Sequence, residues 1–300
     1  MTGKERALAT IRQRRKQAEE ESRLILQRLR EDEKFDDLYR ASGALKWDYV
    51  KAKTEEEKAV LSGKIEEAEK EVIAYLEKKG LPKDGLKAPY ACKTCEDTGS
   101  ADGKECACVE RMRREIMLAE NPLLKGAPQG LEKVDLSFYR EEKGKKEKVV
   151  EAIEKGLSGG RKYFLLAGTA GTGKTYVAAA AVKGLLFSGK DVLCLSMIQL
   201  NKLFLEYHCA PTERKRELWR KFEEADVLFI DDLGAEQALN NVTIPYLLEL
   251  LSERTDKITF LTTNLSPVDL EKRYGQRILS RLLDKRLSTP LLLDGKDLRF

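Results

Sequence analysis

The sequence predicts an α/β domain in which helices flank a parallel sheet, preceded by a helical region and a small cysteine module. Three observations predict it. The first is "GTAGTGKT", Gly168 to Thr175, set between the apolar run "KYFLLAG" and the alanine-rich "KTYVAAAAVKGLLFSG". The second is another apolar run, "ADVLFIDDLGAE" at 225–236, which closes on paired carboxylates. The third lies upstream: residues 1–80 hold no proline and few glycines, and four of the six cysteines fall between positions 92 and 108.

Composition bounds the rest. A chain of 300 residues has room for two domains, and 42% hydrophobic residues can supply a core. The 35% of charged residues exceeds the usual ~25%. A net charge of +4 permits nucleic-acid contact without arguing for it, because a folded basic patch matters more than the sum. No apolar run approaches the roughly 18 residues of a membrane span. The N-terminus "MTGKERALATIRQRRKQAEEE" lacks the apolar core of a signal peptide, so a cytoplasmic location is expected. In a reducing compartment, clustered cysteines point to metal rather than to disulfides.

Residues 1–80 form the first region. Thr54 and Glu57 have capping-box spacing, and Leu61, Ile65, Ala68, Val72 and Tyr75 then step by four, three, four and three along one helix face. "LILQRLREDEKFDDLYRASGALKWDYV" before them has enough apolar residues to pack back as a helical hairpin. Part of so small a surface is also free to dock on another protein. The break "GLPKDGLKAPY" separates this region from a cysteine module at 84–112, which runs on into the helix-like "VERMRREIMLAE". A linker at 113–130, with "NPLLKGAPQG", leads to the α/β domain at 131–300.

Cys92, Cys95, Cys106 and Cys108 make a C-x2-C…C-x-C pattern around a turn with Gly99 and Gly103. Two close thiol pairs can present four thiolates to a tetrahedral ion, the geometry zinc prefers, and a closed site of this kind performs no chemistry. A redox dithiol is the rival reading, but the strand–helix context is missing and four thiols are left unexplained. Cys194 in "DVLCLS" reads as buried. His208 and Cys209 are adjacent, and adjacent side chains rarely face each other.

"GTAGTGKT" satisfies G-x-x-x-x-G-K-[ST] at Gly168, Gly173, Lys174 and Thr175. Glycines let backbone N–H groups turn toward phosphates, and the helix N-terminus adds partial positive charge. Lys174 would reach the β- and γ-phosphates, and Thr175 would ligate magnesium. Gly168, Gly171, Thr172, Gly173, Lys174, Thr175 and Tyr176 are thus the candidates to hold ATP. In "IDD", the strand would place Asp231 at magnesium and Asp232 where it can orient an attacking water. "DKITFLTTNLSP" offers Asn264 at the end of a neighbouring strand, able to hold the same water. "RYGQRILSRLLDK" carries Arg277 and Arg281 one turn apart, and "LLLDGKDLRF" carries Arg299.

P-loop, "IDD", "TTN", "SRL" and terminal "DLR", in that order, resemble the AAA+ ATPases of the bacterial helicase-loader group, the DnaC/DnaI type, with IstB-type transposition helpers close by. The resemblance covers 131–300, with "VDLSFYR" at 134–140 similar to the segment entering the ATPase domain of the DnaI-like branch. It extends more loosely to the helical and zinc-binding N-terminal part. It implies an AAA+ domain in which Lys174 and Thr175 are Walker A, Asp231 and Asp232 Walker B, and Asn264 sensor 1. It implies that Arg281 is the arginine finger reaching the neighbouring subunit's nucleotide, with Arg277 a secondary candidate, and that Arg299 is sensor 2. Most AAA+ proteins carry glutamate where this chain has Asp232, while "DDLGAE" also occurs in the helicase-loader branch. An aspartate is one methylene shorter, which predicts slow hydrolysis suited to a switch.

The resemblance implies ATP, Mg²⁺ and Zn²⁺ as cofactors, and self-association through the ATPase domain. Its implied partners are a hexameric replicative helicase and single-stranded DNA. Tyr207, Lys215, Arg216, Trp219 and Arg220 combine basic and aromatic residues as single-strand binding requires, and equally fit an ordinary amphipathic helix. Three other functions compete with helicase loading: a transposition or phage helper ATPase, a small-molecule kinase, and a non-catalytic adaptor. No phosphoacceptor pocket is readable for the kinase, and the full set of nucleotide-handling residues opposes the adaptor.

Overall fold

The computed structural model describes residues 1–135, 143–293, 295 and 297. It divides into two compact units, one of residues 8–109 and one of residues 1–7 with 110–300. Arg299 and most of "VDLSFYR" lie outside the described residues. Among the described residues, no helix is long and apolar enough to cross a membrane.

The smaller unit is built on three helices, α1 (Gly3–Leu29), α2 (Glu33–Lys51) and α3 (Glu55–Lys78). Asp32 caps α2, and Thr54 and Glu57 form a full capping box on α3, each bonding the other's backbone N–H. These caps satisfy N–H groups that the first helical turn leaves without partners. Phe35 of α2 then packs with Val72, Tyr75 and Leu76 of α3 in a small core, so the stripe on α3 closes a hairpin as expected. Leu61, Ile65 and Ala68 on the same stripe are half-buried. The cysteine module follows with a two-residue ribbon, β1 (Ser100–Ala101) against β2 (Lys104–Glu105). Cys108 sits in the first turn of α4 (Ala107–Glu120).

The larger unit continues with α5 (Lys143–Ser158), β3 (Tyr163–Ala167), α6 (Lys174–Phe187), β4 (Val192–Ser196), α7 (Met197–Cys209) and α8 (Thr212–Glu224). Then come β5 (Val227–Leu233), α9 (Thr243–Glu253), β6 (Ile258–Thr263), α10 (Pro267–Tyr274), α11 (Gln276–Leu282) and β7 (Ser288–Leu292). The last five strands form one parallel sheet in the order β4-β5-β6-β3-β7. Strands buried on both faces read as continuous apolar runs, which is why "YFLLA" and "VLFI" lack polar alternation. Phe164 and Leu166 face one core with Phe229 and Phe260, while Tyr163 and Leu165 face the other with Leu228, Ile230 and Leu261. On the first face α6 buries Ala178 to Ala181, small side chains that let the helix lie close to the sheet.

The segment 113–130, expected as a linker, belongs to this packed unit. Met117, Leu124 and Ala127 enter the first core, and buried Arg113 donates to the carbonyls of Leu186 (2.6 Å) and Lys190 (2.9 Å). Asn121, only 1% exposed, covers the open edge of β4. Its amide oxygen accepts from Cys194 N at 2.6 Å and its nitrogen donates to Val192 O at 3.4 Å. An edge strand with unpaired groups invites association with other chains, and this side chain blocks it.

Candidate nucleotide and metal sites

The P-loop follows β3, and its glycines adopt positive φ: 144° at Gly168, 75° at Gly171 and 80° at Gly173. The φ of Gly171 disfavours any other residue there, and a β-carbon would also displace the Asp297 carboxylate, whose oxygen would stand 1.9 Å away. Thr172 is buried and its hydroxyl donates to Thr169 O at 2.9 Å, tying the loop to itself. Tyr176, in the first turn of α6, accepts from Asp135 N at 3.3 Å.

Strand order brings the polar groups together. β6 lies between the P-loop strand β3 and the carboxylate strand β5, so Asn264 at the end of β6 stands between them. The Lys174 ammonium donates to Asn264 Oδ1 at 2.8 Å, and to the carbonyls of Gly168 (3.0 Å) and Thr169 (2.6 Å). Asn264 Nδ2 in turn donates to Asp232 Oδ1 at 2.8 Å. The Thr175 hydroxyl donates to Asp231 Oδ1 at 2.8 Å. These five residues, expected from separate motifs, form one connected group.

A bulge makes this possible. Between Ile230 and Leu233 two residues of β5 oppose one of β6, and Asp232 takes φ 60°. Successive side chains then need not alternate, so Asp231 reaches Thr175 while Asp232 reaches Asn264. Thr262 secures the bulge: its hydroxyl donates to Asp231 Oδ1 at 2.7 Å and accepts from Asp232 N at 2.8 Å. Partial burial raises the Asp232 carboxyl above its ordinary 3.8, the Asp231 charge adds to this, and Lys174 opposes it. Thr262 was not singled out from sequence, although its place two residues before Asn264 puts it on the same strand face. Glu236 was also missed. Its buried carboxylate accepts from Tyr274 Oη at 2.6 Å and from Gly234 N at 3.1 Å, tying the corner of α10 and α11 to the loop after β5.

Arg281 does not join the group. Ser288 Oγ donates to its carbonyl, and Ser288 pairs in register with Tyr163 at the start of β3. The P-loop leaves the other end of β3, four strand steps or roughly 13 Å away. The Arg281 guanidinium donates to Ser252 Oγ at 3.0 Å. Arg277 is exposed one turn earlier.

Two further expectations meet the structure differently. Trp219 is only 7% exposed, packs with Tyr207 at 5.0 Å between ring centroids, and donates to Glu253 at 2.6 Å. It has no face left for a nucleic-acid base, so α8 is the ordinary amphipathic helix, with Arg216 and Arg220 outward and Lys215 lying over Tyr207. His208 meets Tyr246 Oη at 2.9 Å, and no dyad with Cys209 forms.

In the cysteine module the four Sγ atoms of Cys92, Cys95, Cys106 and Cys108 lie within 4.8 Å of one another, with Cys95–Cys108 at 3.5 Å and Cys92–Cys106 at 3.7 Å. A tetrahedral zinc with Zn–S bonds of about 2.3 Å needs sulfur separations of about 3.8 Å. The donor set and spacing fit that ion. Gly99 (φ 82°), with Glu96 (49°) and Asp97 (54°), supplies the left-handed turns that fold the pairs together.

A family model described as IstB-like ATP binding protein matches residues 105–290. The chain belongs to the IstB-like ATP-binding family. Its resemblance to helicase loaders is also found among curated proteins. The replicative helicase loader DnaC of Escherichia coli strain K12 is 26% identical over 121 residues, 40% of this chain and 49% of DnaC. The uncharacterized protein YdaV of the same strain is 26% identical over 186 residues, 60% of this chain and 73% of YdaV. The match to DnaC thus spans about half the length of that relative. Among solved structures, DnaI gives a TM-score of 0.43 at 24% identity, covering 59% of this chain and 93% of DnaI. DnaA bound to AMPPCP and single-stranded DNA gives 0.46 at 18%, covering 56% of this chain and 50% of DnaA. The IstB-like chain therefore carries an ATP-binding P-loop on a five-stranded parallel sheet, as its motifs implied.

Proposed function

We propose that this IstB-like protein is a slow ATPase switch that grips a ring-shaped replicative helicase and places it on single-stranded DNA. The observation that carries the switch is the chain Lys174–Asn264–Asp232. One end meets the γ-phosphate and the other orients water, so the presence of that phosphate is felt at the hydrolytic carboxylate. Thr175 and Asp231 would hold magnesium, which screens phosphate charge when bound. Arg281, at the far end of its own sheet, serves a second copy of the chain. Hydrolysis therefore waits for assembly. Arg299 reads the nucleotide within its own subunit.

The grip is assigned to the helical and cysteine-rich unit. Trp47 (61% exposed), Val50 (74%) and Val60 (61%) give the α2–α3 hairpin an exposed apolar surface among the described residues. The four cysteines would hold zinc as a structural ion. Arg216 and Arg220 on α8 offer contacts to a DNA backbone but not to bases. The kinship with DnaC, a replicative helicase loader, supports this reading. The IstB-like family match equally favours a helper ATPase acting on DNA with a transposase.

Co-elution with the replicative helicase of the same organism, with and without ATP, separates the two. Helicase loading predicts a stable complex by size-exclusion with light scattering, weakened by Trp47→Glu with nucleotide binding unchanged. Absence of a complex under every nucleotide condition, with ATPase intact, contradicts the loader and favours the transposase partner.

A further inference from the structure

The metal module is not built from its four cysteines alone. Asp97, in the turn after the first cysteine pair, is completely buried. Its carboxylate accepts from Ala91 N at 2.9 Å, from Cys92 N at 3.0 Å and from Arg14 Nη2 at 2.7 Å. Arg14 belongs to α1, more than seventy residues away in sequence. We infer that Arg14 and Asp97 are positioning residues of the metal site, and that metal binding and the seating of α1 on the cysteine module are one event.

The physical argument has two parts. Asp97 fixes the backbone at Cys92, the most exposed of the four thiols, through the N–H of Cys92 itself and that of Ala91 before it. Groups that orient ligands in this way typically change metal affinity by about 10–100-fold. A buried carboxylate beside four thiolates is otherwise unfavourable, since each anion destabilises the rest. Arg14 resolves this by neutralising Asp97 inside the site, and the thiols of Cys108 and Cys92 are themselves close enough to favour its charge.

The seating of α1 depends on the same surface. Ile11 and Ala18 are the buried apolar residues of α1 among those described in this unit, a small area for a helix of 27 residues. Leu26 and Leu29 near its end pack on the α2–α3 core, and along its middle α1 meets the module and the segment leading to it. Arg15 lies over the Tyr90 ring at 5.7 Å, Glu19 meets Tyr90 Oη at 3.3 Å, and Ser22 Oγ donates to Leu86 O at 2.7 Å. Leu8 packs so closely on Gly99 that a β-carbon there would stand 2.9 Å from it. Ile11, Arg15, Ala18 and Ser22 step by four, three and four, so one face of α1 makes all these contacts. The geometry rests on the zinc reading of the cysteines and adds residues that the cysteine pattern does not contain.

The test is zinc affinity of the full chain by competition with a chromophoric chelator, for wild type, Arg14→Gln, Arg14→Lys, Asp97→Asn and the double variant Arg14→Gln with Asp97→Asn. Alongside it, tryptic cleavage at Arg12 and Lys16 is followed with and without zinc, and nucleotide affinity reports that the P-loop unit is intact. The inference predicts one zinc per wild-type chain and fast cleavage in α1 after chelation. It predicts affinity losses of about 10–100-fold in Arg14→Gln and Asp97→Asn, with no further loss when the two are combined and partial rescue in Arg14→Lys. Wild-type zinc affinity in both single variants would overturn it while leaving the metal assignment standing. No zinc on the wild type would overturn the metal assignment and the inference with it.

Discussion

Lys174 donates to the carbonyls of Gly168 and Thr169 and to Asn264, whose side chain also bonds Asp232. Removing that link by Asn264→Ala should leave ATP binding nearly intact and lower hydrolysis by about 10²–10⁴-fold, the usual loss of a group that assists proton or water positioning. Equal loss of binding and turnover would contradict the role. Asp232 adds a pH dependence. Its carboxyl is raised above the ordinary 3.8 by partial burial and by Asp231. A raised pKa means that the proton returns at higher pH, so the charged form, which on the proposed reading orients water, is lost at a higher pH than for an ordinary aspartate. The acid limb of kcat should therefore lie above pH 3.8 and vanish from the residual activity of Asp232→Asn. An unchanged limb in that variant assigns the titration to another group.

At the scale of elements, α2, α3 and the edge of the sheet show how local chemistry sets stability. Asn121→Ala would strip partners from Cys194 N and Val192 O, both on a buried edge. A loss of about 1–3 kcal/mol in chemical denaturation is expected for leaving such groups unsatisfied, and a change within experimental error would show that the edge does not need its cover. Asp32 offers a second test. It accepts from Tyr75 Oη and Lys79, and the tyrosine hydroxyl leads in lowering its pKa from 3.8 to about 2. A depressed carboxylate stabilises the fold fully above the unfolded value and ceases to do so as pH falls through the folded one. The stability difference between wild type and Asp32→Asn should thus shrink between pH 4 and pH 2, read by thermal melts at each pH.

The same elements show how far the sequence could be read. The capping box at Thr54 and Glu57, the P-loop between β3 and α6, and the carboxylates ending β5 were legible because each is a local pattern with one physical meaning. Strand order was not derivable from these residues, since nothing in "KITFLTTN" says that it inserts between the other two motif strands. Proline and glycine at 122 and 126 read as a break, yet Met117, Leu124 and Ala127 around them are buried. Trp219 looked available because its neighbours are basic, and its own burial against Tyr207 is a tertiary fact. Arg14 and Asp97 were invisible for the same reason.

For the whole molecule, the sheet places the phosphate loop at one end and Arg281 at the other. On the proposed reading, a chain so arranged carries both halves of a hydrolytic site and joins them only with a second copy. Arg281→Ala should bind ATP like wild type and lose about 10³-fold or more of its assembly-dependent turnover, the range that trans arginines supply elsewhere. Lys174→Ala should lose ATP binding while keeping a usable Arg281.

Mixing these two variants is the most direct measurement of that division of labour. Each alone should be inactive at any concentration, in the presence of helicase and single-stranded DNA. The mixture should regain a fraction of wild-type ATPase, because ATP bound by the Arg281→Ala chain meets the arginine of the Lys174→Ala chain. A mixture as inactive as its parts, with assembly verified by light scattering, would contradict a site completed by a second copy.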